Sequence, residues 1–94
     1  MKVYICGPRW RERTHDVDEA ARKLRDAGYS PVSVPILRAG SGRIDLRSCV
    51  GLLVGCDSVC ALPGCDGTRE GRALLRVARD VGIPVRSLAS MTRN

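Results

Sequence analysis

Ser58-Val59-Cys60-Ala61-Leu62-Pro63-Gly64-Cys65-Asp66-Gly67-Thr68-Arg69-Glu70 is the stretch that decides how this chain folds. Ser58 to Leu62 is an apolar run with the length of a buried strand, and Pro63-Gly64 breaks it. From Arg69 to Val81 the apolar residues Leu74, Val77, Ala78 and Val81 recur at helical spacing. A strand that stops at Pro-Gly, loops through Asp66-Gly67-Thr68 and opens a helix presents backbone N–H groups at a positive helix end. That end favours an anion such as a phosphate. The turn therefore predicts a site for a phosphorylated small molecule, with Gly64, Asp66, Gly67 and Thr68 at its phosphate end.

The same alternation continues on both sides. Lys2 to Cys6 reads as a first strand ended by Gly7-Pro8, and Arg9 to His15 as a polar loop. Asp16 and Glu19 have capping-box spacing, ahead of Val17, Ala20, Ala21, Leu24 and Ala27 on one helical face. Gly28 closes this helix. Pro31 to Val34 is a short second strand stopped by Pro35. Asp45 caps a second helix running to Val54, with Leu46, Cys49, Val50 and Leu53 on one face. Gly82 stops the third helix, and Pro84 to Leu88 is the fourth strand. Residues 1–88 form a single α/β nucleotide-binding domain, and residues 89–94 a loose tail.

Strands alternating with helices over short connections predict a three-layer α/β fold. Its parallel sheet has four main strands in the order 2-1-3-4. Ligands in such sheets bind beyond the carboxyl ends of the strands. That rule gathers the loops 7–13, 36–43 and 63–70 with the residues after Leu88.

Composition narrows the classes. The 94 residues are 44% hydrophobic and lack Phe, so Val, Leu, Ile and Ala must build the core. The formal charge is +6, mostly from Arg. Only Tyr4, Trp10 and Tyr29 are aromatic, too few for a nucleotide-stacking platform, which favours a pocket over a nucleic-acid groove. No apolar run approaches the roughly 18 residues that span a bilayer. Met1-Lys2-Val3 has no signal-peptide layout, so the expectation is a cytoplasmic protein without a membrane partner.

Five cysteines, an odd number, argue for reduced thiols. They form no C-x-x-C pair, and the single His, His15, is remote, so neither a metal nor a cofactor is expected. Cys60 reads as a small core residue on its strand, and Cys49 and Cys56 as packing on a helix. Cys6 and Cys65 each read as ending a strand, either facing a ligand or buried and inert.

Glu70 is the candidate catalytic residue. It precedes Leu74 by four residues and sits in the first helical turn beside the anion site, where a carboxylate can act as nucleophile or general base. A Glu in that place is also favourable to any helix N-terminus. Arg9 can reach a phosphate from the first loop, and Trp10 can stack on a base. Cys6, Gly7 and Pro8 lie at the same strand end and complete the candidate nucleotide-binding set.

Several segments together resemble the small relatives of nucleoside 2-deoxyribosyltransferases, many of them phage-encoded domains of unknown function. They are Met1 to Pro8, Ala27-Gly28-Tyr29, Cys56-Asp57-Ser58-Val59, Leu62-Pro63-Gly64 and Gly82-Ile83-Pro84-Val85, in order along nearly the whole chain. The resemblance implies a deoxyribosyltransferase-like, flavodoxin-like fold, a pocket floored by Gly7 and Pro8, and Thr68 at the phosphate. Relatives generally assemble as dimers or larger homo-oligomers. The resemblance also places Leu74 where the family has its catalytic Glu, Cys49 where it has an Asp, and Cys65 where a Trp follows Leu-Pro-Gly. It thus implies a binder of a (deoxy)nucleoside monophosphate or similar nucleotide rather than an enzyme of the usual form. One alternative is an N-glycosidic-bond hydrolase or transferase that uses Glu70. The other is a basic module for nucleic acid or protein, carried by Arg69, Arg72, Arg76 and Arg79.

Overall fold

The alternation closes into a four-stranded parallel sheet in a computed structural model. The structure describes residues 1–7, 14–32, 46–67 and 69–92, without the side chains of residues 14–16, 46–48 and 70. In chain order the elements are β1 (Lys2–Cys6), α1 (Thr14–Asp26), β2 (Ser30–Val32), α2 (Leu46–Val54), β3 (Ser58–Ala61), α3 (Arg69–Val81), β4 (Val85–Ser87) and α4 (Leu88–Thr92). A single 3-10 turn, Cys65–Gly67, lies between β3 and α3. The sheet order is β2-β1-β3-β4, every pair parallel, as the sequence predicts.

Alternation along β1 and β3 divides the core into two layers. Val3, Ile5 and Cys60 face one side, where they pack with Val17, Ala20, Ala21 and Leu24 of α1 and Met91 of α4. Tyr4, Cys6 and Val59 face the other, against Cys49 and Leu53 of α2 and Leu74 and Ala78 of α3. Below the first rung, the Lys2 N–H donates to the Asp57 carboxylate at 2.8 Å and the Asp57 N–H to the Lys2 carbonyl at 2.8 Å. This exchange sets the β1–β3 register just before Val3 meets Ser58.

Glycine ends α1 and α3 in the same way. Gly28 (φ 93°) and Gly82 (φ 83°) are left-handed, a conformation that a Cβ disfavours. Behind each, the next N–H reaches back five positions: Tyr29 to the Leu24 carbonyl at 2.9 Å, Ile83 to the Ala78 carbonyl at 2.8 Å. Tyr29 and Ile83 then pack against the two core layers, which completes a Schellman stop.

Four expectations need correction. Residues 89–92 are not part of a loose tail and Leu88 does not end β4, because Leu88–Thr92 is the helix α4. The Ser87 hydroxyl accepts the Ser90 N–H at 3.1 Å, and Met91 is buried against α1 and β1. One side chain with a core to fill has ordered a segment too short for its own periodicity to show. Asp16 is not the cap of α1, because the helix already runs from Thr14. A carboxylate is favourable anywhere in a first helical turn, so the spacing did not determine the start. Val81, the last residue of α3, and Ala27, in the turn after α1, are exposed beside the glycine stops. Cys56 lies in the turn after α2 rather than on it, donating its thiol to the Leu52 carbonyl at 3.3 Å. The continuation of β2 to Val34 and the Asp45 cap fall outside the described residues.

Ser58 is buried in the β1–β3 layer, and its Oγ has no hydrogen-bond partner. A buried hydroxyl without a partner costs about 1–3 kcal/mol. Ser58→Ala is therefore expected to stabilise the fold by about 1 kcal/mol, raising the melting temperature by roughly 4–8 °C. A thermal melt showing no rise would mean that the hydroxyl is hydrogen-bonded in solution.

Candidate functional site

β1 and β3 are adjacent and end together, with Cys6 opposite Ala61. One residue further, the Leu62 N–H donates to the Cys6 carbonyl at 2.9 Å and carries the pairing to the sheet's rim. Strand order reverses direction at this pair, β2 lying beyond β1 and β4 beyond β3. That is where an open parallel sheet leaves a crevice for a ligand.

Leu62-Pro63-Gly64-Cys65 makes a tight turn, closed by the Cys65 N–H on the Leu62 carbonyl at 3.1 Å with Gly64 at φ 86°. Pro then Gly with positive φ is the requirement of a type II turn. The 3-10 turn follows, with the Gly67 N–H on the Gly64 carbonyl at 3.0 Å. Arg72 reaches back from α3, its guanidinium donating to the Asp66 carbonyl at 3.2 Å. Gly64, Asp66 and Gly67 are exposed along this rim. Gly7, across from them, has a packing reason to be glycine. A Cβ there would stand 2.9 Å from Cγ2 of Val17, a β-branched side chain with little freedom to move aside.

Of the other predicted site residues, Pro8, Arg9, Trp10 and Thr68 lie outside the described residues. Glu70 is the second residue of α3, and its side chain is likewise outside the description. The described α3 residues with their side chains buried or closest to the sheet are Leu74 and Ala78, with Val77 partly buried.

The structure brings together residues that the sequence treated separately. Tyr4, Cys6, Cys49, Cys65 and Leu74 are all at most 5% exposed and belong to one cluster between the sheet and α2 and α3. Burial pushes the Tyr4 phenol far above its usual range, helped by the hydrogen bond that it gives the Cys49 sulfur. Burial also pushes the Cys6 thiol up to about 12, and Cys6 donates to Cys65. Cys65 is raised by burial as well, although its sulfur accepts from Cys6 and from the Asp66 N–H. Cys65 lies four residues past the end of β3, so it opens the 3-10 turn instead of ending a strand. Tyr4 was not among the sequence candidates. Its period-2 relation to Cys6 was the available signal, since both must face the same side. Among the described residues no group of three or more His, Cys, Asp or Glu is placed to hold a metal ion. No described helix is long and apolar enough to cross a membrane.

No protein-family model and no curated protein matches this chain. A solved structure does. It is a 2-deoxyribosyltransferase from the psychrotolerant bacterium Bacillus psychrosaccharolyticus, superposing with a TM-score of 0.71 at 18% identity over 90% of this chain and 69% of that one. The fold is therefore the α/β, flavodoxin-like architecture found in that deoxyribosyltransferase.

Proposed function

We propose that the protein binds a (deoxy)nucleoside monophosphate or related nucleotide beyond the carboxyl ends of β1 and β3, as a non-catalytic relative of the nucleoside 2-deoxyribosyltransferases. It would do so as a cytoplasmic homo-oligomer, with Gly7, Pro8, Arg9, Trp10, Gly64, Asp66, Gly67 and Thr68 around the ligand. The observation that supports a binder over an enzyme is the closure of the cluster behind the rim. Leu74 and Cys49, which the resemblance places at the catalytic Glu and Asp, are 5% and 4% exposed and packed in an apolar layer. A leucine there can neither attack an anomeric carbon nor hold a proton. The site's place at the reversal of strand order, and the fold shared with a deoxyribosyltransferase, support a nucleotide as the ligand.

Titration calorimetry against nucleosides, their monophosphates and cyclic or ADP-ribose-type nucleotides tests this. The expected result is heat with a monophosphate and no released base after prolonged incubation. Glu70→Gln keeps size and hydrogen bonding, so affinity should change little. No binding by any member at millimolar concentration would remove the proposal. Base release that disappears in Glu70→Gln would replace it with an enzyme whose nucleophile is Glu70. A second reading draws on the exposure of Arg69, Arg72, Arg76 and Arg79 along α3. Nucleic-acid retention that weakens steeply as salt rises would support it.

A further inference from the structure

We infer that Cys6 and Cys65 form a dithiol site that a hydroperoxide oxidises to a disulfide, tethering the turn after β3 to the end of β1. The backbone already holds the two residues near each other. Cys6 is the last residue of β1, its carbonyl takes the Leu62 N–H, and the hydrogen-bonded turn from Leu62 delivers Cys65 three residues later. Both side chains enter the same cluster, and the Cys6 thiol donates its proton directly to the Cys65 sulfur.

The two sulfurs are not equivalent. The Cys65 sulfur accepts from Cys6 and from the Asp66 N–H, while the Cys65 N–H is held by the Leu62 carbonyl. Donors of this kind stabilise a thiolate, so Cys65 is the attacking sulfur and Cys6 the resolving one. Cys65 is also flanked by exposed Gly64 and Asp66, so a small opening of the turn admits a small oxidant. Burial opposes the reaction by raising both thiols above their usual range, so it should be slow at neutral pH and quicken as pH rises. The titratable groups around the pair are Tyr4 from β1, Cys49 from α2, Cys60 from β3 and Asp66 on the turn. The other thiols are differently engaged. Cys49 takes the Tyr4 hydroxyl, Cys56 donates to the Leu52 carbonyl, and Cys60 packs in the opposite layer.

The chemistry balances with hydrogen peroxide as oxidant. The Cys65 thiolate attacks one peroxide oxygen, giving the sulfenic acid and hydroxide. The Cys6 sulfur then displaces that oxygen, the S–S bond forms, and the oxygen leaves as water. Two thiols lose two electrons and two protons, and one peroxide becomes two waters.

The test is independent of nucleotide binding and uses the intact chain. The native protein is treated with graded hydrogen peroxide, free thiols are blocked with iodoacetamide, and tryptic peptides are mapped without reductant. Trypsin isolates Cys6 in Val3–Arg9 and places the other four cysteines in Ser48–Arg69. The expected result is a joined pair of these peptides, two hydrogens lighter than their sum. Fragment ions should locate the link at Cys65, and dithiothreitol should remove it. In Cys6→Ser the resolving thiol is gone, so dimedone should trap a sulfenic acid at Cys65. Four results would overturn the inference: a link from Cys6 to Cys49, Cys56 or Cys60, alkylated Cys6 while other thiols oxidise, oxidation only in denaturant, or dimedone on another cysteine. If Cys6→Ser does not fold, mapping of the unaltered chain decides alone.

Discussion

Between pH 9 and about pH 12 the fold is expected to lose stability steeply, by about 5 kcal/mol at pH 11. The cause is the burial of thiols in both core layers. Burial pushes Cys6 from 9.0 up to about 12 and Cys60 from 9.0 up to about 11. Above pH 9 the unfolded chain releases protons that the folded chain retains. The contribution of these groups is therefore fully present below pH 9 and is withdrawn as pH rises through the folded values. Tyr4, Cys56 and Cys65 are raised as well and act in the same direction. Since a small domain has only about 5–15 kcal/mol in total, a third or more of its stability is withdrawn by pH 11. Thermal melts from pH 7 to 11 under reductant check this, with ultraviolet absorbance reporting thiolate. Cys60→Ala should remove about 2 kcal/mol of the loss at pH 11, whatever it costs at neutral pH. A melting temperature that holds steady to pH 11 would refute the account.

The sheet was legible because each of its determinants is local. The apolar runs in Lys2 to Cys6 and Ser58 to Leu62, helical spacing in Arg69 to Val81, and Gly28 and Gly82 as stops all lie within a few residues of what they decide. Helix α4 was not legible, since Leu88 and Met91 form one short period whose order comes from the layer that Met91 enters. The candidate site was readable as a rim and not as an interior. Pro63-Gly64 marked the break after β3, and strand order put that break at the reversal between β1 and β3. The contacts behind it, Tyr4 with Cys49 and Cys6 with Cys65, join residues far apart in the chain through tertiary packing. Alternation showed that Tyr4 and Cys6 share a face, but not which residues of α2 or the turn would meet them. Cysteine spacing is informative for metal motifs, and here the thiols meet only because three elements converge.

Leu74→Glu is expected to destabilise the protein by about 4 kcal/mol at pH 7, and not to create an enzyme. The substitution supplies the carboxylate that the resemblance assigns to this position. In the structure, however, Leu74 is 5% exposed beside Tyr4, Cys6 and Cys49, and no described cation lines that cluster. A carboxyl placed there must ionise without water or a positive partner, which raises its pKa well above the ordinary range near 4.3. The sign follows from that direction. Relative to the unaltered protein, the variant is least impaired below about pH 4.3 and worsens as pH rises through the raised folded value. Denaturant melts at pH 4 and pH 8 provide the comparison, and a base-release assay on the folded variant provides the functional arm. A variant that loses less than about 1 kcal/mol at both pH values would mean that position 74 opens to solvent. The pocket would then reach past the rim, and the non-catalytic reading would lose its main support. If the penalty is large and depends on pH as described, the layer behind the rim is core. A nucleotide would then bind at the rim in front of this layer and not within it.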